Sequence, residues 1–375
     1  MSLLILSASD VDRVASSLAP DDLQLLMAQV FGRLSVRPGP PGTISMPPRL
    51  SIRTNNHTVL FMPARIGAFP TKTGVEGSGG DTAIKIVSVP SSKDDAKGLP
   101  GTTLVLDEHT GAAKAVINAR KLTALRNAAG SLLSTSLVGP SNPQTVVAFG
   151  AGQQIASHLD LHLGHLRTIS RCIIVNRTLN ERAATLRSKL TSNFPEIEIV
   201  LLSSNEDVAQ IESAVQSADI IIAATSSTAP LFPSSWVKTG THVILIGSYK
   251  PEMREVDRDL ILRSIQPNGG KLLVDSREAC LHEAGELIDA QIKSEQMTEI
   301  GELIPMDESG QVALGSYHEL LVAKRARASA HNFNGPVTIF KSVGIGLQDV
   351  AIASAIVDKA LSTGNIGTVI ADYDT

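Results

Sequence analysis

The stretch that most constrains the fold of this chain runs from residue 145 to residue 163, TVVAFGAGQQIASHLDLHL. An apolar run, Val146, Val147, Ala148 and Phe149, enters the glycine turn Gly150-Ala151-Gly152, and a helix-compatible segment opens at Gln153. Strand, glycine turn and helix in that order form the front half of a dinucleotide-binding βαβ unit. Gly150 suits the tight turn, and Gly152 lets the backbone approach a pyrophosphate at the positive end of the helix. Ile155 stands where the third glycine of the fingerprint usually sits. The motif alone is therefore also compatible with an ordinary strand-to-helix turn.

The next apolar run, residues 172–175, ends in Asn176-Arg177-Thr178. A dinucleotide fold reads the adenosine ribose at this strand end, where an acid selects NAD and a nearby Arg accommodates the 2′-phosphate of NADP. Here the acid is missing and Arg177 is present, which points to NADP(H). Thr178 and Glu181 also have the spacing of a capping box, which would hold Arg177 in place at the start of the next helix. Candidate strands at 145–149, 171–175, 198–202, 219–223, 242–246 and 271–274 alternate with helical segments, the pattern of a parallel doubly wound sheet.

With 375 residues, two domains are expected. A hydrophobic content of 43% supplies a sizeable core, aliphatic because aromatics are few. A formal charge of -4 without a basic block argues against nucleic acid or an anionic membrane as the main partner. Cys172 and Cys280 are the two cysteines. The first lies in an apolar strand run, so a reducing, cytoplasmic setting is expected rather than a disulfide framework. The apolar run at residues 3–6 is too short for a signal peptide or a membrane span and reads as a strand.

The first 138 residues read differently from the centre. A helix is expected from Asp21-Asp22 to Leu34, followed by a Pro/Gly loop at 38–42. Short β-type runs come at 58–62, 83–89, 102–106 and 113–117, the last two flanking a hairpin turn at 107–111. Loops at 73–81 and 90–101 read as mobile. Together these suggest an α+β domain on a curled antiparallel or mixed sheet. Residues 119–138 turn helical and lead into the glycine turn. An amphipathic helix over 343–361 is expected to return to the first domain and make it discontinuous. His158, His162 and His165 fall at helical spacing without a carboxylate or cysteine pattern to complete a metal site, so a solvent- or subunit-facing stripe is expected and no metal. Gly77-Ser78-Gly79 lacks the context of a nucleophile elbow and reads as a flexible loop.

Over nearly its whole length the chain resembles the ornithine cyclodeaminase/mu-crystallin family. The matching pieces are Met46-Pro47-Pro48-Arg49 with Phe61-Met62-Pro63-Ala64, Ile84-Lys85-Ile86-Val87-Ser88, and Lys97-Gly98-Leu99-Pro100-Gly101. They continue with Leu122-Thr123-Ala124-Leu125-Arg126-Asn127-Ala128-Ala129, Gly150-Ala151-Gly152-Gln153-Gln154, Gly301-Glu302-Leu303 and Phe340-Lys341-Ser342-Val343-Gly344. The resemblance implies a Rossmann-type doubly wound α/β domain (residues 139–339) inserted into a discontinuous α+β substrate-binding and dimerisation domain (1–138 and 340–375), and hence a homodimer. It gives Arg49, Lys85 and Arg126 to the substrate carboxylate, with Arg126 also close to the cofactor phosphates. A guanidinium matches a carboxylate in two-pronged fashion, while a Lys supplies a movable charge and a proton. Lys85 stands out from the residues themselves, because an unpaired Lys between Ile84 and Ile86 in a strand would be costly. The candidate cofactor set is Arg126, Gly150, Ala151, Gly152, Gln153, Gln154, Asn176, Arg177, Thr178, Thr225, Ser226 and Ser248.

Three departures from the family bear on function. Cyclodeaminases carry an Asp where Tyr249 stands, and ketimine reductases of the mu-crystallin branch lack it; Asn127 replaces a usual Thr; and residues 305–334 are longer than the norm. The resemblance therefore implies an NADPH-dependent reductase of a small cyclic ketimine carboxylate, such as Δ1-pyrroline-2-carboxylate or Δ1-piperideine-2-carboxylate. A cyclodeaminase or amino-acid dehydrogenase of the same family, and a non-catalytic NADPH-dependent small-molecule binding protein, remain open as alternatives.

Overall fold

Two sheets organise the chain in the computed structural model, which describes residues 2–35, 44–67, 80–91, 99–323 and 332–374. The loop at 38–42, Gly77-Ser78-Gly79, most of the loops at 73–81 and 90–101, and the pair Lys97-Gly98 lie outside the described residues, as does part of the 305–334 segment. The chain divides into two units. One comprises Met1–Arg126, Pro305–Ala313 and Ile345–Thr375; the other comprises Asn127–Ile304 and Leu314–Gly344.

The first passage through unit one starts with β1 (Leu3–Leu6), α1 (Ala8–Ala15) and α2 (Pro20–Ser35). Ser7 caps α1 through the Asp10 N–H, and Asp21 and Asp22 sit in the first turn of α2 where the helix dipole favours acids. Then come β2 (Ile44–Ser45), β3 (Leu50–Arg53), β4 (His57–Ile66), β5 (Asp81–Pro90), β6 (Gly101–Leu106) and β7 (Ala113–Asn118). The β6–β7 hairpin closes as its sequence suggests. The Asp107 carboxylate accepts from the N–H groups of His109 and Thr110, and Gly111 takes φ +73°. Helix α3 (Arg120–Val138) follows, and the division between the units falls within it, after Arg126.

Unit two alternates strand and helix: β8 (Thr145–Phe149), α4 (Gln153–His165), β9 (Arg171–Asn176), α5 (Glu181–Asn193), β10 (Glu198–Ser203), α6 (Val208–Ser217), β11 (Ile220–Ala223), β12 (His242–Leu245), α7 (Arg258–Ser264), β13 (Lys271–Val274), α8 (Arg277–Glu283), α9 (Gly285–Asp289), β14 (Thr298–Glu299), α10 (Leu314–Val322) and β15 (Thr338–Lys341). The sheet order is β10-β9-β8-β11-β12-β15-β13-β14, and every neighbouring pair is parallel. Strands buried on both faces must be apolar throughout, which is why β8, β9, β11 and β12 read as near-continuous hydrophobic runs. The order reverses beside β8, so the carboxyl ends of β8 and β11 form the switch point at which such sheets bind ligands. Two strands differ from the sequence expectation: β14 is a two-residue addition at the sheet edge, and β15 is central. β15, only four residues and ending in a lysine, inserts between β12 and β13 although it comes last in the unit.

The chain then returns to unit one as α11 (Gly346–Thr363) and β16 (Thr368–Ile370). The unit-one sheet has the order β16-β1-β7-β6-β5-β4-β2 with β3 also on β4, antiparallel except for β1 on β7. α11 packs on β4, β5 and β6 and on α2. Small residues permit the close approach: a Cβ on Gly346 would stand 3.1 Å from Ala64 Cβ. Among the described residues no helix is long and apolar enough to cross a membrane.

Candidate active site and cofactor cradle

In unit one, the alternation of β5 decides where Lys85 goes. Side chains two apart in a strand share a face, and Ala83 and Lys85 are the buried pair. Ala83 lies opposite Ala64 in the β4–β5 ladder, and Ala64 is where α11 begins its approach. The first turn of α11 thereby reaches Lys85. Lys85 Nζ lies 2.6 Å from Asp349 Oδ2, and both residues are almost fully buried. Arg126 Nε meets the other oxygen, Asp349 Oδ1, at 3.1 Å, and its Nη1 donates to Gln348 Oε1 at 2.9 Å.

Two cations, Lys85 and Arg126, meet on the Asp349 carboxylate. Asp349 faces two cations and also sits in a helix first turn, so its anionic form is well supported. Burial pushes its carboxyl upward, but Arg126 and Lys85 outweigh burial and hold it below the usual carboxylate value. Lys85 shares that single carboxylate with Arg126. Burial draws its ammonium below the usual lysine value, Asp349 resists, and Arg126 and Arg49 add to the lowering. Arg49, exposed just before β3, is thus close enough for its charge to be felt at Lys85. Two buried cations meeting on Asp349, with the Arg49 charge felt at Lys85, make a setting that suits an anionic ligand. Asp349 and Gln348 were absent from the sequence-derived site. The available signal was an acid in the first turn of an otherwise apolar helix, directly after the Phe340–Gly344 motif.

In unit two, the glycine turn has the geometry a dinucleotide needs. Gly150 takes φ +111°, and its N–H donates to Val175 O. Gly152 is the N-cap of α4 with no side chain capping it, and a Cβ there would meet nothing within 4 Å. An open approach to uncapped N–H groups at a helix start is an anion cradle, so the residues present fit a pyrophosphate. Ala151 is buried beneath the turn, and Ile155 fills the third-glycine position inside the core. Gln153 is exposed, while Gln154 accepts from Asn127 Nδ2 at 3.2 Å.

At the end of β9, Arg177 and Thr178 are exposed, and Asn176 donates to Thr178 O at 2.8 Å. The capping expectation is corrected here. Asn180, not Thr178, caps α5 by accepting from the Ala183 N–H, because α5 begins at Glu181 and Asn180 occupies the position before it. Beyond β11, Ser226 is exposed and Thr225 half-buried. Beyond β12, Ser248 is buried and its hydroxyl donates to Met253 O. The structure therefore groups Gly150–Gln154 with Thr225 at the switch point, and turns the Ser248 side chain inward.

The histidine stripe is also corrected. His158 and His162 are fully buried against α3, where Nε2 of each bonds Ser131 and Thr135, while His165 is half-buried. Burial, partly opposed by the Gln154 carbonyl, lowers His158 to about 4. Burial and the neighbouring His158 lower His162 to about 3. Both rings are neutral structural groups.

Comparison with known proteins is consistent with this construction. The sequence profile of the ornithine cyclodeaminase/mu-crystallin family matches residues 23–364. The chain is 28% identical over 317 residues to a Δ1-pyrroline-2-carboxylate reductase of Bacillus cereus, covering 84% of this chain and 85% of the relative. It is 27% identical over 323 residues to the ketimine reductase mu-crystallin of Mus musculus, covering 86% and 87%. Among solved structures, the Thermococcus litoralis Δ1-pyrroline-2-carboxylate reductase in complex with NADH and L-proline shares the fold. Its TM-score is 0.73 at 24% identity, over 97% of this chain and 99% of that one.

Proposed function

The chain belongs to the ornithine cyclodeaminase/mu-crystallin family, and on that premise we propose that it reduces a small cyclic ketimine carboxylate to the cyclic amino acid with NADPH. It does so as a cytoplasmic homodimer, with unit one as the substrate and dimerisation domain and unit two as the cofactor domain. The observation that carries the reading is the buried cluster in which Lys85 and Arg126 meet on the Asp349 carboxylate. Arg126 and Arg49 hold the substrate carboxylate, and Asp349 fixes Lys85 against it. Lys85 keeps a proton on the imine nitrogen, which makes the adjacent carbon electrophilic. Its lowered proton affinity eases that donation. When bound, the reduced nicotinamide supplies the hydride. The residues contribute by positioning and by fixed charge.

NADPH is favoured over NADH by Arg177, which stands exposed at the end of β9, where the run Asn176-Arg177-Thr178 carries no acid of its own. The Thermococcus litoralis relative binds NADH, so the preference is a property of this chain's own residues. Cyclodeamination is disfavoured by Tyr249, 39% exposed under the Lys250 ammonium. A phenol hydroxyl there does not offer the pair of acceptor oxygens that a carboxylate would.

The test is direct. NADPH absorbance is followed with Δ1-pyrroline-2-carboxylate and Δ1-piperideine-2-carboxylate, and ammonia is measured with ornithine and lysine. Net NADPH consumption with a ketimine, and no ammonia, is expected. Ammonia release from ornithine without net cofactor consumption would overturn the reductase reading.

A further inference from the structure

Below the carboxyl ends of β11 and β12 lies a group of charged side chains with no part in the reaction as described. Glu255 and Lys341 are fully buried and Glu286 is 1% exposed. Glu255 Oε1 accepts from the Thr225 N–H at 2.6 Å and from the Thr225 hydroxyl at 3.0 Å, and Oε2 accepts from the Gly247 N–H at 2.7 Å. Lys341 Nζ donates to the Ser248 carbonyl oxygen and pairs with Glu286 at 3.0 Å. Burying two carboxylates and an ammonium is a poor route to stability, since well-packed apolar side chains do as well or better. The arrangement is better explained by what it holds.

One carboxylate fastens the loop after β11 to the loop after β12. The contact is close: a Cβ on Gly247 would stand 1.9 Å from Thr225 O and 2.5 Å from Glu255 Oε1. On its other side the first loop edges the glycine turn, because a Cβ on Gly150 would stand 3.3 Å from Ala224 O and 3.6 Å from Thr225 Cγ2. We propose that Glu255, supported by Lys341 and Glu286, is a positioning residue for the nicotinamide cofactor, fixing the backbone of Thr225 and of Gly247 and Ser248 beside the glycine turn before the cofactor arrives. The inference rests on the reading of the protein as a nicotinamide-dependent enzyme. Two of the three groups hydrogen-bonded to Glu255 are backbone N–H groups that can only donate, so the ionised carboxylate accepts from all three, whereas the acid must turn its one proton on the Thr225 hydroxyl and holds the loops less firmly. Burial lifts the Glu255 carboxyl to about 7, with Lys341 opposing and Glu286 adding to the rise. The fastening group therefore titrates in an accessible range.

The experiment measures the NADH dissociation constant by fluorescence between pH 6 and pH 8, in the full-length protein and in Glu255→Gln. NADH is the probe because the 2′-phosphate of NADPH titrates near pH 6 and would obscure the result. In the unaltered protein, affinity should weaken about tenfold from pH 8 to pH 6, as follows when binding needs the ionised form of a group near pH 7. In Glu255→Gln the amide places its own N–H against a donor. Affinity at pH 8 should fall at least about tenfold and lose its pH dependence, while the ketimine KM at saturating NADPH stays within about twofold. Unaltered affinity in Glu255→Gln, or a flat profile in the unaltered protein, would overturn the inference; the second measurement stands even if the variant does not fold. If the unaltered protein binds neither NADH nor NADPH, the functional reading fails. If it binds and Glu255→Gln behaves identically, the positioning role alone fails.

Discussion

At Lys85, one buried ammonium shares one carboxylate with a guanidinium, and that asymmetry separates the consequences of altering each partner. Asp349→Asn removes the carboxylate on which the buried Lys85 and Arg126 meet and should cost about 3–5 kcal/mol, read as a lowered urea midpoint. Lys85→Met keeps the Arg126–Asp349 pair and removes the proposed proton donor. It should cut ketimine turnover at least about a hundredfold with a much smaller change in the urea midpoint. Equal stability losses in the two variants would show that Lys85 is a structural charge only. Lys85 was legible in the sequence because its apolar flanks made a lysine there conspicuous. Asp349 was not, because helix register and return path must be known before a distant acid can be assigned to it. Arg177 presents the opposite case, exposed and recognisable by its place after a strand. The charge-assisted bond proposed for it with a 2′-phosphate would be worth about 1.5–3 kcal/mol, roughly one to two decades of affinity. Arg177→Ala should therefore erase most of the preference for NADPH and leave NADH binding unchanged in a fluorescence titration. Equal affinity for the two cofactors before mutation would sink this reading.

Helix α4 shows where element-level reading succeeds and where it stops. Its start was visible in the glycine turn, but which way its histidines point depends on α3, whose Ser131 and Thr135 offer hydroxyls to both rings. Periodicity reveals that side chains share a face, not whether another element covers it. β15 escaped notice for a related reason: four residues with a terminal lysine carry too little pattern to announce a central strand. The buried histidines also predict an acid response. Their folded values, about 4 and about 3, lie below the ordinary value of 6.5, so the unfolded chain takes up protons first as pH falls. Stability is full above about pH 6.5 and declines as pH drops towards the folded values. At pH 5 each ring contributes a loss of about 2 kcal/mol. Urea midpoints at pH 7 and pH 5 should differ accordingly, and the double variant His158→Asn, His162→Gln should flatten the difference. An identical pH slope in the double variant would assign the acid sensitivity elsewhere.

Across the whole molecule, the alternating pattern of the second unit was readable because a parallel sheet demands continuous apolar strands and helices between them. The first unit was readable only in pieces, since its sheet mixes short strands with turns and its longest helix comes from the far end of the chain. Arg126 and Asp349 are 223 residues apart in sequence. At about 5–20 residues per second on the ribosome, roughly 10–45 s pass between the synthesis of the two partners. During that interval the nascent first unit has its cations but not the carboxylate that joins them, nor the helix that covers the sheet. The unit-two sheet, whose strands lie between, is translated almost whole before the first unit can close. A chain released early thus lacks the Asp349 anion on which Lys85 and Arg126 meet, and the geometry itself restricts the assembled cluster to translation products that extend through α11.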